Sequence, residues 1–323
     1  MRANLPAKKQ KHSSPAQTRL SFEGSGGVTQ YIDVARAMSS INRVALRQGC
    51  FYYINSVEVY NNETGVIDLH VLPDTWVIKN AHQRARQLWN KNMALVAPPL
   101  SSGLKPKYHD FKVYFDDRHR TTGTLNPVLH DVNGLSTAVT NDDWEYSRYA
   151  SGDSDGDLNA LGTAVNQDAD KFKVHMIGPH IGTGDDWTSI GAVTSYADSR
   201  TTVNNEDPEI SSLEVAAMRQ DPLLSIFDFS SEEQLNEIVQ LLSEDNDNPP
   251  YNHDLYNGEL IASMQHVARL GTEQGVGRVA RAAGFCAPFG LICIDPQTGI
   301  TTDWRIVINL AKGQYHGCFA ERV

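Results

Sequence analysis

The chain has 323 residues, 40% of them hydrophobic and 21% charged, with 24 Gly and 14 Pro. That length can bury one large β domain or two ordinary ones, and the mixture suits a loop-rich globular protein better than a helical bundle. No apolar run approaches the roughly 20 residues that span a bilayer, and no apolar stretch follows the basic N-terminus, so neither a membrane span nor a signal peptide is expected.

The net charge of −11 is unevenly spread. Residues 1–22 carry Arg2, Lys8, Lys9, Lys11 and Arg19 and no acidic residue, so that segment is +5 and the remainder −16. A short basic tail on an acidic body can bind phosphates, and a localisation receptor can read Lys8-Lys9-Gln10-Lys11; a solvated terminus without partners is the bland alternative. The four cysteines, Cys50, Cys286, Cys293 and Cys318, form no CxxC pair, and three fall in strand-like segments. Buried reduced thiols are the expectation.

In chain order, residues 1–28 hold Pro6, Pro15 and Gly24-Ser25-Gly26-Gly27, which reads as an arm and hinge without a fold of its own. Tyr31–Ala37 and Ile41–Leu46 read as short strands punctuated by Gln48-Gly49, and Phe51–Tyr60 as the best strand of this half. The turn-like Asn61–Gly65 leads to a returning strand at Val66–Leu72, which predicts a hairpin. Asp74 or Thr75 caps a helix with Ile78, Ala81, Ala85, Leu88 and Asn92 on one face. Ala97-Pro98-Pro99 ends it. Tyr108–Phe115 reads as a strand, and 116–170 as polar and irregular apart from a strand at Trp144–Tyr149. Lys171–Ile177 and Ile190–Tyr196 read as further strands. Ser230-Ser-Glu-Glu233 is a capping box opening a helix, and 257–270 fits a second helix. The last forty residues carry period-two spacing: Trp304, Ile306, Ile308 and Leu310 share one strand face, and the turn signal Asp295-Pro-Gln-Thr-Gly299 predicts a hairpin with the strand before it. Helices set between strands, rather than alternating with them, favour an all-β antiparallel barrel or sandwich with helical and long loop insertions.

Candidate sites are few. Asp153–Asn159 starts like a calcium loop but has Leu158 where the sharp turn wants Gly and Ala164 where a bidentate Glu belongs, so an acidic loop is expected. Gly275–Gly284 lacks the preceding strand that a dinucleotide fingerprint needs, leaving a local turn with a basic face at Arg278 and Arg281. The histidines have no metal-ligand spacing, and His70 and His175 sit in strand contexts as core or edge residues. No GxSxG or cysteine-nucleophile signature occurs, and nothing in sequence pairs the crowded Asp142, Asp143 and Glu145. No catalytic residue, metal or cofactor is therefore expected.

Ile41-Asn-Arg-Val-Ala-Leu-Arg-Gln-Gly49, the strand pair, Asp74-Thr-Trp76 with its basic helix, Tyr108-His-Asp-Phe-Lys-Val113, Gly290-Leu-Ile-Cys-Ile294 and Lys312-Gly-Gln-Tyr-His-Gly317 together resemble capsid proteins of small circular single-stranded DNA viruses that encode a replication-initiation protein. The resemblance comes in scattered blocks over half the chain. It implies an antiparallel jelly-roll shell domain at 29–323 with insertions near 75–96 and 199–275, and a flexible arm at 1–28. It also implies self-assembly into an icosahedral shell, with Arg2, Lys8, Lys9, Lys11 and Arg19 contacting the packaged strand without sequence readout. The location implied is the virion, and the host cell, nucleus included, during assembly. Such proteins commonly carry longer Arg-rich arms and a positive net charge. The five cations here therefore keep a second reading open: a double jelly-roll shell protein of a tailless phage, whose inner membrane separates shell and genome. Two readings from other classes are a carbohydrate-binding β-sandwich using Trp144, Tyr146 and Tyr149 as an aromatic platform, and a hydrolase on a β scaffold.

Overall fold

Alternating burial defines the first strand: Leu20 and Phe22 are fully buried while Arg19 is exposed and Ser21 and Glu23 are half-buried, the period-two pattern of a strand packed on one side. This strand, β1 (Arg19–Gly24), lies inside the stretch expected to be an unfolded arm, so the folded body begins by Arg19. The computed structural model describes residues 16–96, 110–140, 144–152, 169–183, 186–201, 258–272, 279–297 and 299–323. β1 is followed by β2 (Gln30–Asp33), α1 (Val34–Asn42), β3 (Cys50–Tyr60), β4 (Gly65–Val71), α2 (Trp76–Val96), α3 (Asp117–Thr122), β5 (Val128–His130), β6 (Ser136–Ala138) and β7 (Arg148–Gly152). Then come β8 (Ala169–His175), β9 (Ile181–Thr183), β10 (Asp186–Gly191), α4 (Ala192–Thr201), β11 (Gln265–Thr272), β12 (Val279–Pro288), β13 (Leu291–Pro296), β14 (Trp304–Leu310), β15 (Lys312–Tyr315) and β16 (Ala320–Arg322).

Two antiparallel sheets carry the architecture. One runs β1-β14-β3-β12, with β16 pairing the start of β3; the other runs β11-β4-β13-β2. Buried side chains of both contribute to one core, among them Phe22, Tyr52, Val57, Ile67, Leu69, Ile292, Trp304 and Ile306. The described chain is thus predominantly β-strand, with antiparallel sheets packed as an all-β sandwich. Pairing follows a single rule: β1 with β14, β2 with β13, β3 with β12 and β4 with β11. Two further ladders, β14 with β3 and β13 with β4, complete the sheets.

A third layer covers the outer face of the second sheet. Tyr31, Leu291 and Cys293 of that sheet bury themselves against Ile78, Ala81, Ala85 and Trp89 of α2, against Phe111, Val113 and Phe115, and against Val174, Val193 and Ala197. The layer includes a four-stranded sheet, β7-β8-β10-β9, in which β8 and β10 run parallel.

Several expectations are corrected. Neither predicted hairpin exists: β3 and β4, and likewise β13 and β14, lie in opposite sheets, so their turns cross the sandwich. The strand expected at Tyr31–Ala37 stops at Asp33, whose carboxylate caps α1 by accepting from the Arg36 N–H at 3.0 Å. α1 occupies the start of the strand expected at Ile41–Leu46 and ends at Arg43 in the left-handed region (φ 53°). The strand expected at Ile190–Tyr196 gives way to α4 after Gly191, where a Cβ would lie 2.2 Å from the Gly178 carbonyl oxygen. The stretch 257–270, ambiguous in sequence and open to a second helix, runs into the strand β11, which also falls inside the stretch read as an insertion. Residues 110–115 of the expected strand Tyr108–Phe115 make only an isolated bridge, Tyr114 to His175. The strand near Trp144 is shifted to Arg148–Gly152, and 116–140, expected to be irregular, contains α3 and the β5–β6 pair. α2 is a helix as expected, with Thr75 Oγ1 accepting from the Ile78 N–H at 3.4 Å; its buried face holds Trp89, while Leu88 is 44% exposed. The helix expected from Ser230 lies outside the described residues.

Candidate functional site

Of the five predicted nucleic-acid contacts, Arg2, Lys8, Lys9 and Lys11 lie outside the described residues. Arg19 stands on the outer face of the first sheet, where its guanidinium is 3.5 Å from Glu58. Glu58 also faces Arg281 at 3.4 Å and accepts from the Tyr60 hydroxyl at 2.9 Å, and Arg305 pairs with Glu23 at 2.8 Å. On this face three guanidiniums share two carboxylates, and Arg19 is one rung of that ladder.

The other sequence candidates sort as follows. The acidic loop 153–159 and Asp142 and Asp143 lie outside the described residues. Gly275–Gly284 has a strand, β11, before it and runs into another strand, β12, so the basic face is a strand face at Arg281 and the helix of a dinucleotide fingerprint is not formed. The aromatic platform does not form either. Tyr149 is buried with its hydroxyl donating to the Ala85 carbonyl at 2.9 Å. Tyr146 stacks on Tyr114 with ring centroids 4.0 Å apart, and the half-buried Trp144 ring is covered by Lys112 Nζ at 4.7 Å. The cysteines are free thiols, with Cys50, Cys293 and Cys318 buried and Cys286 partly exposed. Among the described residues, no helix is long and apolar enough to cross a membrane. None of their His, Cys, Asp and Glu side chains group in threes to hold a metal ion.

Chemistry is concentrated in a buried polar network under the edge of the second sheet. His119 Nδ1 accepts the Phe115 backbone N–H at 3.0 Å, which fixes the proton of the neutral ring on Nε2. Nε2 then donates to Thr124 Oγ1 at 2.7 Å, Thr124 to the Tyr146 hydroxyl at 2.8 Å, and Tyr146 to Asp33 Oδ2 at 3.3 Å. Asp33 also accepts from Gln48 Nε2 at 2.8 Å, and Gln48 clasps both backbone groups of Val113. Asp116 accepts from the Tyr31 hydroxyl at 2.9 Å and caps α3 through the His119 N–H. Burial lowers His119 to about 3, and burial raises Asp33 to about 6 against its three donors and Arg36. Such shifted groups can mark catalysis. Here Asp33, Gln48 and His119 are at most 1% exposed, so the network joins α1, α3 and the 111–115 segment rather than meeting a substrate. His175 is satisfied in the same manner, by Ser189 Oγ at 2.7 Å and the Pro179 carbonyl at 3.0 Å.

Among the described residues, concave features at the surface include an apolar one between α2 and β8, lined by Ala85, Leu88, Tyr149 and Phe172. An open groove of about 670 Å³ at one end of the sandwich is lined by Glu23, Gln30, Tyr60, Asn61, Asp303 and Arg305, among others. A narrow pocket is lined by Arg47, Gly49, His82, Arg86, Asp110, Phe111 and Arg322. His82 is 1% exposed and stacks on Phe289 at 4.2 Å, and neither ring nitrogen has a hydrogen-bond partner. Burial and the nearby Arg86 push it down to about 3. Sequence reasoning missed this pocket because its arginines stand at positions 47, 86 and 322; the only local signal was the basic face of α2.

Compared with protein-family models, with curated proteins and with solved structures, the chain matches none.

Proposed function

We propose that the chain is a jelly-roll capsid protein of a small circular single-stranded DNA virus, assembling with copies of itself into an icosahedral shell around the genome. The observation that carries this reading is the pairing rule of the eight sandwich strands: first with last, second with seventh, third with sixth, fourth with fifth. A long antiparallel ribbon with that pairing, rolled so that β14 meets β3 and β13 meets β4, has the strand order of a double-sheet jelly roll, an architecture found in viral shells. Its U-turn, between β4 and β11, carries the large insertion. That suits a shell subunit, whose contacts can be built on loops while the sandwich stays intact. The basic stretch before β1 adds a sequence-independent attraction for phosphate.

A single roll is favoured over the double one. The described strands complete one ribbon, and the remaining four-stranded sheet has a parallel pair and a different order. The carbohydrate-binding reading loses its aromatic platform, because Tyr149 is buried and the half-buried Tyr146 is stacked on Tyr114. Negative-stain microscopy with mass photometry of the purified full chain tests the proposal: uniform spherical particles are expected. Monomers or small oligomers at both low and high salt would overturn it.

A further inference from the structure

Three guanidiniums converge on the narrow pocket from distant parts of the chain. Arg47 comes from the connection between α1 and β3, Arg86 from α2, and Arg322 from β16, where it pairs in register with Cys50. Among the described residues Asp110 is the one carboxylate lining the pocket, and Arg47 holds it at 3.4 Å. Neither Arg86 nor Arg322 has an acidic partner among the described residues. Behind them lies the His82 imidazole, nearly fully buried between Phe289 and Phe111, with both nitrogens unpartnered. A buried polar ring without partners is costly, and among the described residues three cations meet one anion here, which leaves two without an ion pair.

One kind of ligand answers both features. A tetrahedral oxyanion accepts from several guanidinium forks at once and offers an oxygen to the N–H of the neutral imidazole. A cation would meet the arginines unfavourably, and a neutral ligand would leave their charge unmatched. The pocket as a whole holds only about 10 Å³, room for about one oxygen-sized group. Such an anion would lie across the mouth, where Arg47 and Arg322 are exposed, with one oxygen directed inward.

We propose that Arg47, Arg86 and Arg322, over the floor formed by His82, are a seat for a phosphate group, supplied by the backbone of the packaged single strand. The identity of that strand rests on the shell reading above; the phosphate chemistry does not. The seat would supply cations that the short N-terminal arm lacks, at a fixed place on the folded body.

The test is fluorescence anisotropy of the full chain with a labelled oligo(dT), titrated across salt concentrations. Wild type is compared with Arg86→Gln/Arg322→Gln and with His82→Phe. The arginine pair is expected to lower the slope of log affinity against log salt by about 0.7 for each phosphate that is no longer neutralised, with an unchanged melting temperature. His82→Phe keeps the ring stacking and removes both nitrogens; it is expected to weaken oligonucleotide binding several-fold while the melting temperature holds or rises. An unchanged slope and affinity in all variants overturns the seat. A parallel thermal-shift titration with inorganic phosphate separates the sources: arginine-dependent stabilisation by phosphate, without any effect on oligonucleotide binding, overturns the nucleic-acid source. Mass photometry of the same samples keeps the two proposals apart, because particles without a slope change count against the seat alone, and a slope change without particles counts against the shell alone.

Discussion

Glu63 sits in the turn that crosses from β3 to β4, and its carboxylate closes a loop more than two hundred residues away. It accepts from the backbone N–H of Thr301 at 2.6 Å and of Thr302 at 2.9 Å, and from Thr301 Oγ1 at 2.9 Å. These bonds to the charged form hold its pKa down at about 2. The folded value lies below the unfolded one, so the stabilisation is complete above about 4.3 and is lost as pH falls through about 2. Thermal melts of wild type and Glu63→Gln should therefore differ at pH 6 and converge between pH 4 and pH 2. A gap that stays constant over that range would show that the carboxylate charge plays no part. In sequence, Glu63 is only part of a turn and Gln48 only punctuation between strands. Both residues act through partners far along the chain, Thr301 for one and Val113 for the other. Local spacing carries no record of such pairs.

At the scale of elements, the β5–β6 pair presents a stiff apolar tip. Asp131 Oδ1 accepts from the Asn133 and Leu135 N–H groups at 2.9 and 2.8 Å, and Gly134 takes φ 79°, which a side chain would disfavour. Val132 is 100% exposed and Leu135 66% exposed. Two neighbouring apolar side chains held in water by a fixed turn are suited to a contact, and under the proposed shell reading the cover would be a neighbouring copy. Val132→Asp/Leu135→Asp should leave the far-ultraviolet dichroism and melting temperature of the subunit unchanged, yet stop mass photometry from detecting particles. Particles of wild-type size from this variant would remove the tip from the assembly contacts. Element type was legible wherever one period dominated: β3, β4, β14 and α2 were all found. It failed where a strand runs straight into a helix, at Asp33–Val34 and Gly191–Ala192, because continuous apolar runs fit both periods. Pairing was less legible still. Period two says which face of a strand is buried, not which sheet holds it, so two turns that cross the sandwich were read as hairpins.

At the scale of the whole molecule, the long-range strand pairing could not be read from local pattern, since Arg19 pairs with Asn309 and Gln30 with Ile294 across nearly the full chain. Charge asymmetry was legible, because it needs only a count. The structure changes what that count means. Arg19 belongs to the folded sheet and lies 3.5 Å from Glu58, whereas Arg2, Lys8, Lys9 and Lys11 precede the first strand in sequence. The rest of the chain, from residue 23 on, sums to −16, so a phosphate backbone is repelled by the body as a whole and held only where cations are concentrated. Two consequences separate by variant. Replacing Arg2, Lys8, Lys9 and Lys11 with Gln should leave shell formation intact, because the strand pairing of the sandwich begins at Arg19, and should lower the A260/A280 ratio of purified particles. Arg19→Gln should leave that ratio at the wild-type value, since it removes a cation already paired at 3.5 Å and more than half exposed to screening by solvent. Equal ratios for the four-residue variant and wild type would mean that the N-terminal stretch does not hold the genome. The converse pattern, a loss with Arg19→Gln alone, would place the strand against the outer face of the first sheet, where the ladder of Glu23, Arg305, Glu58 and Arg281 would have to open to receive it.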